Sequence, residues 1–364
     1  MSGQTLSYIA YAAAAVVVVF VGLHVFWRAV GYYKVRKAGP RPLFGVRHRL
    51  WRDPGDVPRL DLRFGPGGSE QAPVAPFRFI EEQGAGTQPC VSVHDANGRR
   101  WRVKWGHEVP CETFAVRLAW ACGYFAEVTH LVRAGTIEGC GALTRAASCV
   151  NAEGAFTDGR FELDDPDVLK LFEEHSWSWT DNPFVGTPQL AGLKIILMLI
   201  SNWDNKDQRD VARGSNTAIY VTRVSRWKRE AQYLIVDWGG SMGRWGGNVV
   251  TRGRWDAEGF AAQTPQFVTG VTNGYVQFGY TGQRTSDARA NIRPEDARWL
   301  CQYLGRVTDD QLRAALEASG ATPEETASFA ASLRTRITQL QSASGASGAS
   351  GSGLQTALSP GSGL

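Results

Sequence analysis

The sequence predicts an α+β fold in two lobes, preceded by one N-terminal membrane-spanning helix. Three observations carry that expectation. Residues 77–105 read as short strands broken by turn residues, with an amphipathic helical pattern after them. Further on, the apolar stretch Leu190–Leu199 is followed by two apolar strands, each carrying a polar, oxygen-bearing side chain at one end. At the start, Tyr8–Trp27 (YIAYAAAAVVVVFVGLHVFW) is a run of 20 residues without formal charge, the length at which a helix rising ~1.5 Å per residue crosses ~30 Å of hydrocarbon.

The N-terminal run decides the expected location. Tyr8, Tyr11 and Trp27 stand where interfacial aromatics belong, and the distal flank carries Arg28, Lys34, Arg36, Lys37 and Arg41. The positive-inside rule then puts everything after the span in the cytoplasm, anchored to the inner membrane through residues 8–27, with residues 1–7 outside. A cleaved secretory signal fits less well, because Met1–Ser7 has no basic side chain and no small-x-small site follows the run. Six cysteines without a CxxC pair suit free, buried thiols.

Composition bounds the rest. A chain of 364 residues with 43% hydrophobic and 20% charged residues has room for about two domains' worth of core. The net charge of +4 is small, and there is no zinc-type Cys pair, basic recognition helix or RNA-binding signature, so no nucleic acid partner is expected. Residues 28–75, basic and then rich in Pro and Gly, read as a juxtamembrane linker. The folded domain is expected over 76–340, its first lobe over 76–135 and its second over 136–340. The Ser/Gly/Ala repeats of 341–364 read as a disordered tail.

Within the first lobe, Arg78-Phe-Ile and Cys90-Val-Ser-Val-His alternate as strands around a turn containing Gly84 and Gly86. Asn97-Gly98 signals a hairpin into Trp101-Arg-Val-Lys-Trp. Glycines in such a turn let backbone N–H groups approach phosphates, and the third strand brings Lys104. A helix is expected over Glu112–Phe125, with Phe114, Leu118, Ala121, Cys122 and Phe125 on one apolar face, Pro110 ahead of it and Gly123 near its end. Glu112 in its first turn suits the helix dipole and is also placed to pair with Lys104; Glu108 is the rival partner. In the second lobe, helices are expected over Pro294–Leu304, Thr308–Ser319 and Pro323–Leu340, while Gln266–Thr285 reads as strand or turn.

The chemistry concentrates in LMLISNWDNKDQRDVARGSNTAIYV and YLIVDWGGSMG. The first carries Asn202, Asp204, Lys206, Asp207 and Asn216, and the second Asp237. Asp and Asn commonly cap turns. Here the order Asp-x-Lys, Asn, then Asp-aromatic-Gly is that of a phosphotransferase catalytic loop followed by its metal-binding Asp, and oxygen donors of this kind suit Mg²⁺ held against phosphates.

Taken together, VKWG…ETFAVRLAWACGYF, SNWDNKD…SNTAIY and IVDWGGSMG resemble the atypical protein kinase-like group that includes HipA-type toxins and phosphoinositide kinases. They are similar in block order to an uncharacterised bacterial membrane-associated family. The resemblance spans roughly 77–340 and implies a two-lobed kinase fold with ATP and Mg²⁺ in the cleft. It implies that Gly84 and Gly86 lie over the nucleotide, Lys104 neutralises phosphate and Glu112 holds Lys104. Asp204 would orient or deprotonate an acceptor hydroxyl on a protein, lipid or small molecule, Lys206 would meet the γ-phosphate, and Asn216 and Asp237 would ligate metal. The chain departs from the protein-kinase pattern in having 12 positions from Asp204 to Asn216 where HRDxxxxN has five, and Trp238 in place of the Phe of DFG. A catalytically inactive module of the same fold, binding nucleotide or a protein partner, is the alternative.

Overall fold

The Asn97-Gly98 turn sets the register of the first lobe. Asp95 Oδ1 accepts the N–H groups of Asn97 and Arg99, both at 2.9 Å, and the turn joins β3 (Cys90–His94) to β4 (Arg100–Lys104). A computed structural model describes residues 19, 22, 43, 45–84, 86, 88–172, 175–204, 216–226, 228–246, 251–282 and 289–345. With β2 (Phe77–Glu82), β5 (Thr129–Glu138) and β6 (Ala155–Leu163), these strands close a barrel in the order β2-β3-β4-β6-β5. All its pairings are antiparallel except β2 with β5. Phe77, Val91, Val93, Trp101, Val103, Phe156 and Phe161 form its separate core. The first lobe therefore reaches Leu163 instead of ending near 135, because β6 is needed to close the ring.

Helix α1 (Val109–Ala121) connects β4 to β5. It begins three residues before the expected Glu112, with Pro110 in its first turn, and ends before Gly123, whose φ of +89° ends helical geometry. Nearly every side is buried, Glu112, Thr113 and Arg117 included. The expected single apolar face gives way to a helix enclosed between the barrel and the second lobe.

The second lobe holds a four-stranded sheet, β1-β9-β8-β7, from β1 (Arg47–Arg49), β7 (Leu169–Phe172), β8 (Thr217–Ser225) and β9 (Lys228–Ile235). Helix α2 (Pro188–Leu199), capped by Thr187, buries Leu190, Leu193, Ile195, Ile196, Leu197, Met198 and Leu199, each such side chain contributing roughly 1.5–3 kcal/mol. Short strands β10 (Trp245–Gly246) and β11 (Thr251–Arg252), helix α3 (Ala257–Gln263) and the hairpin β12–β13 (Val268–Thr272, Tyr275–Phe278) follow. Helices α4 (Pro294–Leu304), α5 (Asp309–Ala318) and α6 (Pro323–Ser344) complete the lobe. Thr308 and Thr322 form capping boxes for α5 and α6.

The stretch expected as a linker up to residue 75 is built into this fold from about Val46. β1 pairs with β9, and Leu50, Val57 and Leu62 are buried. Among the described residues no helix is long and apolar enough to cross a membrane; apart from Val19 and Gly22, residues 8–27 lie outside them. All six cysteines are unpaired.

Candidate active site

Asp204 and Asp237 arrive from two segments that grip each other through the backbone. After α2 the chain turns at Ser201, φ +52°, and Trp203 N–H donates to the Gly240 carbonyl at 2.8 Å. After β9 it passes Asp237 and Trp238 and turns at Met242, φ +57°, whose N–H donates to the Ile200 carbonyl at 2.8 Å. Two left-handed non-glycine residues, an uncommon conformation, thus brace the arms that carry the carboxylates. Arg336 of α6 fixes the first arm from behind. It is buried and donates to the Leu199 carbonyl and Ser201 Oγ at 2.8 Å each, to the Phe260 carbonyl at 2.8 Å and to Thr264 Oγ1 at 3.1 Å.

Asn216 stands beside Asp204. Its Nδ2 donates to the Asp204 carbonyl at 2.6 Å, and its own carbonyl accepts the Val236 N–H at 3.1 Å. The structure therefore gathers Asp204, Asn216 and Asp237. Lys206, together with Asp207, lies outside the described residues. The Asp237 carboxylate accepts the Gly239 N–H at 3.1 Å. Glycine is required at two adjacent positions here. A Cβ on Gly239 would stand 2.7 Å from Glu108 Cγ, and one on Gly240 would stand 2.7 Å from Asp204 Cβ.

Those contacts bring Glu108, at the start of α1, into the same cleft. Burial raises its carboxyl pKa, and the neighbouring Asp237 and Asp204 charges raise it further, against the pull of Arg254 and Lys104. Arg254 Nη2 meets Glu108 Oε1 at 3.1 Å, its Cζ lies 4.9 Å from the Trp203 ring centroid, and Trp203 stacks on Trp245. Trp245 and Arg254 thus both lie against the Asp204 arm at Trp203.

Lys104 is held differently from the expectation. Its Nζ lies 3.3 Å from Glu162 of β6, while Glu112 contacts Arg160. Arg160 also contacts Glu162, and Arg102 reaches Glu162 at 3.2 Å. Strand register explains the exchange: Lys104 pairs with Arg160 across β4–β6, so its own barrel supplies the nearest carboxylate. The Glu162 field raises the Lys104 pKa. Burial opposes ionisation of Glu162, but Lys104, Arg160 and Arg102 outweigh it and hold its carboxyl well below the usual range. Burial pushes Glu112 up to about 7 despite Arg160 and Lys104, and raises Glu127, which accepts a hydrogen bond from Tyr220 of β8.

Gly84 and Gly86 fall in the β2–β3 turn, at the barrel end where Cys90 pairs with Lys104. Arg145 Nη2 covers this turn, donating to the Gly86 carbonyl at 2.6 Å. Arg160, Glu162 and Arg254 are the site residues that motif reading misses. Charges two positions apart around Phe161 in β6 were the available signal, since that spacing in a strand puts both on one face.

The oxygen donors fit a hard divalent ion in type. Among the described residues no three His, Cys, Asp or Glu side chains stand close enough to hold a metal by themselves.

No protein-family model matches the chain, and no curated protein matches it. Among solved structures, a crystal structure of the Golgi casein kinase is similar at 12% identity and a TM-score of 0.35, over 75% of this chain and 73% of that one. A second, of the Golgi casein kinase with Mn/ADP bound, gives the same identity and TM-score over 74% and 73%. Likenesses this loose carry neither fold nor activity across to this chain.

Proposed function

We propose that this chain is a kinase-like phosphotransferase that uses Mg²⁺-ATP and is anchored to a membrane through residues 8–27. The observation that carries the reading is the convergence of Asp204, Asn216 and Asp237 opposite the barrel end that bears Lys104. The order of parts supports it: three antiparallel strands, a lysine at the end of the third, a helix packed behind it, then two polar arms from the other lobe. Lys104, preset by Glu162, would neutralise phosphate charge. The β2–β3 turn would lie over the nucleotide, and Glu108 with Asp237 would face its phosphates. Bound Mg²⁺ would supply charge neutralisation across the phosphate oxygens, held by Asp237 and Asn216. Asp204 would orient or accept the proton of the acceptor hydroxyl. Phosphoryl transfer depends mostly on positioning and electrostatics, and the braces at Ser201, Met242 and Arg336 provide that rigidity.

The test is transfer from labelled Mg²⁺-ATP by the full-length protein, to itself and to membrane protein and lipid extracts. Asp204→Ala is expected to lower transfer by about 10² or more while leaving nucleotide affinity nearly unchanged. Identical background from both proteins, with binding intact, would overturn the enzymatic reading and leave a nucleotide-binding module.

A further inference from the structure

The β8–β9 hairpin ends in a basic tip far from the candidate active site. Arg223, Val224, Ser225, Arg226, Lys228 and Arg229 are all exposed, Val224 at 60%. Arg223 stands directly across from Arg229, and like charges placed opposite each other weaken a sheet, so the hairpin itself gains nothing from them. The acid at this end, Glu230, is buried and already bound by Arg49 and Arg52, at 2.9 Å each. Among the described residues, Arg47, Lys228 and Arg229 form no ion pair.

Topology says what this tip faces. β1 runs parallel to β9, with Arg47 beside Glu230 and Arg49 beside Gln232. The chain therefore enters β1 at the tip end of the hairpin, and exposed Arg47 joins the basic cluster. Only 20 positions separate Arg47 from Trp27, where the apolar run ends, and they include Arg28, Lys34, Arg36, Lys37 and Arg41. Fully extended, that tether spans at most about 70 Å.

We infer that the β8–β9 tip, with Arg47, docks on an anionic phospholipid bilayer, Val224 entering the headgroup layer between the basic side chains. The inference rests on the proposed anchoring through residues 8–27. Attraction of this kind acts within a Debye length of about 8 Å and strengthens binding roughly fivefold per basic residue at the surface. Asn216 and Asp237 sit at the opposite ends of the same two strands, so docking would hold the cleft about 25 Å from the lipid along them.

The experiment uses the full-length chain in nanodiscs of phosphatidylcholine alone or mixed with phosphatidylglycerol. Amide hydrogen exchange over residues 222–229 should slow in the anionic discs only. The Arg223→Glu/Lys228→Glu/Arg229→Glu variant should lose that protection while keeping the wild-type melting temperature; the matching Gln variant serves if the reversal impairs folding. If the chain resists an alkaline wash but the tip exchanges equally in both lipids, docking is overturned and the anchor stands. If the wash strips the chain, the anchor reading fails and vesicle cosedimentation decides the tip. A loss of roughly a hundredfold on charge reversal, specific to phosphatidylglycerol vesicles, supports docking. Equal binding by the variant, or binding to RNA without vesicle preference, overturns it.

Discussion

His130 illustrates how a single buried group links this fold to pH. It lies in β5 with Nε2 buried and without a hydrogen-bond partner, edge-on to Trp101. Burial, with Arg117 and Arg99 nearby, pulls its pKa down to about 4 from 6.5. The unfolded chain therefore takes up this proton first as pH falls. The stability contribution is complete above about pH 6.5 and is lost between 6.5 and 4, by about 3 kcal/mol in all. Urea denaturation at pH 7 and pH 5 should show about 2 kcal/mol of that loss in the wild type and a flatter profile in His130→Phe; parallel profiles would exclude the assignment. Legibility at this scale is uneven. Asp204, Asn216 and Asp237 were readable because each sits at the end of an apolar segment, where a polar residue is conspicuous. The partner of Lys104 was not, because strand register chose Glu162 over Glu112, and single-chain spacing does not encode which strands become neighbours.

At the scale of elements, helix starts and hairpins were the readable parts, since caps and turns are local. Pro294 and the capping residues Thr308 and Thr322 begin α4, α5 and α6 at or next to the expected positions. The segment 46–63 carries linker-like Pro and Gly as local signals, while its burial is a long-range one that those signals do not encode. Trp51 Nε1 donates to the Cys122 carbonyl at 2.8 Å, and Gln311 donates to the Val57 and Leu60 carbonyls, each at 2.8 Å. Leu50 and Leu62 are 1% exposed. Leu62→Ala should therefore cost about 2–5 kcal/mol in denaturant unfolding, whereas a change within a solvated linker would stay within about 0.5 kcal/mol.

At the scale of the whole molecule, residues from Lys104 to Arg254 are brought to one cleft by two separate cores, the barrel's and the helical lobe's. The order of the blocks carries the expectation of two lobes, while the closure of the barrel by β6 and the enclosure of α1 come only from packing. On the proposed function, Asp237 would help hold a metal against nucleotide phosphates in this cleft. The direct measurement is the thermal shift of the full-length protein with ATP, with and without Mg²⁺, for wild type and Asp237→Asn. A ligand at 100 times its Kd stabilises by about 2.7 kcal/mol, well within reach of such a measurement. A metal role for Asp237 requires a larger shift with Mg²⁺ than without it for the wild type, and selective loss of the Mg²⁺-dependent part in Asp237→Asn. Equal loss in both conditions, or no loss in either, would contradict it.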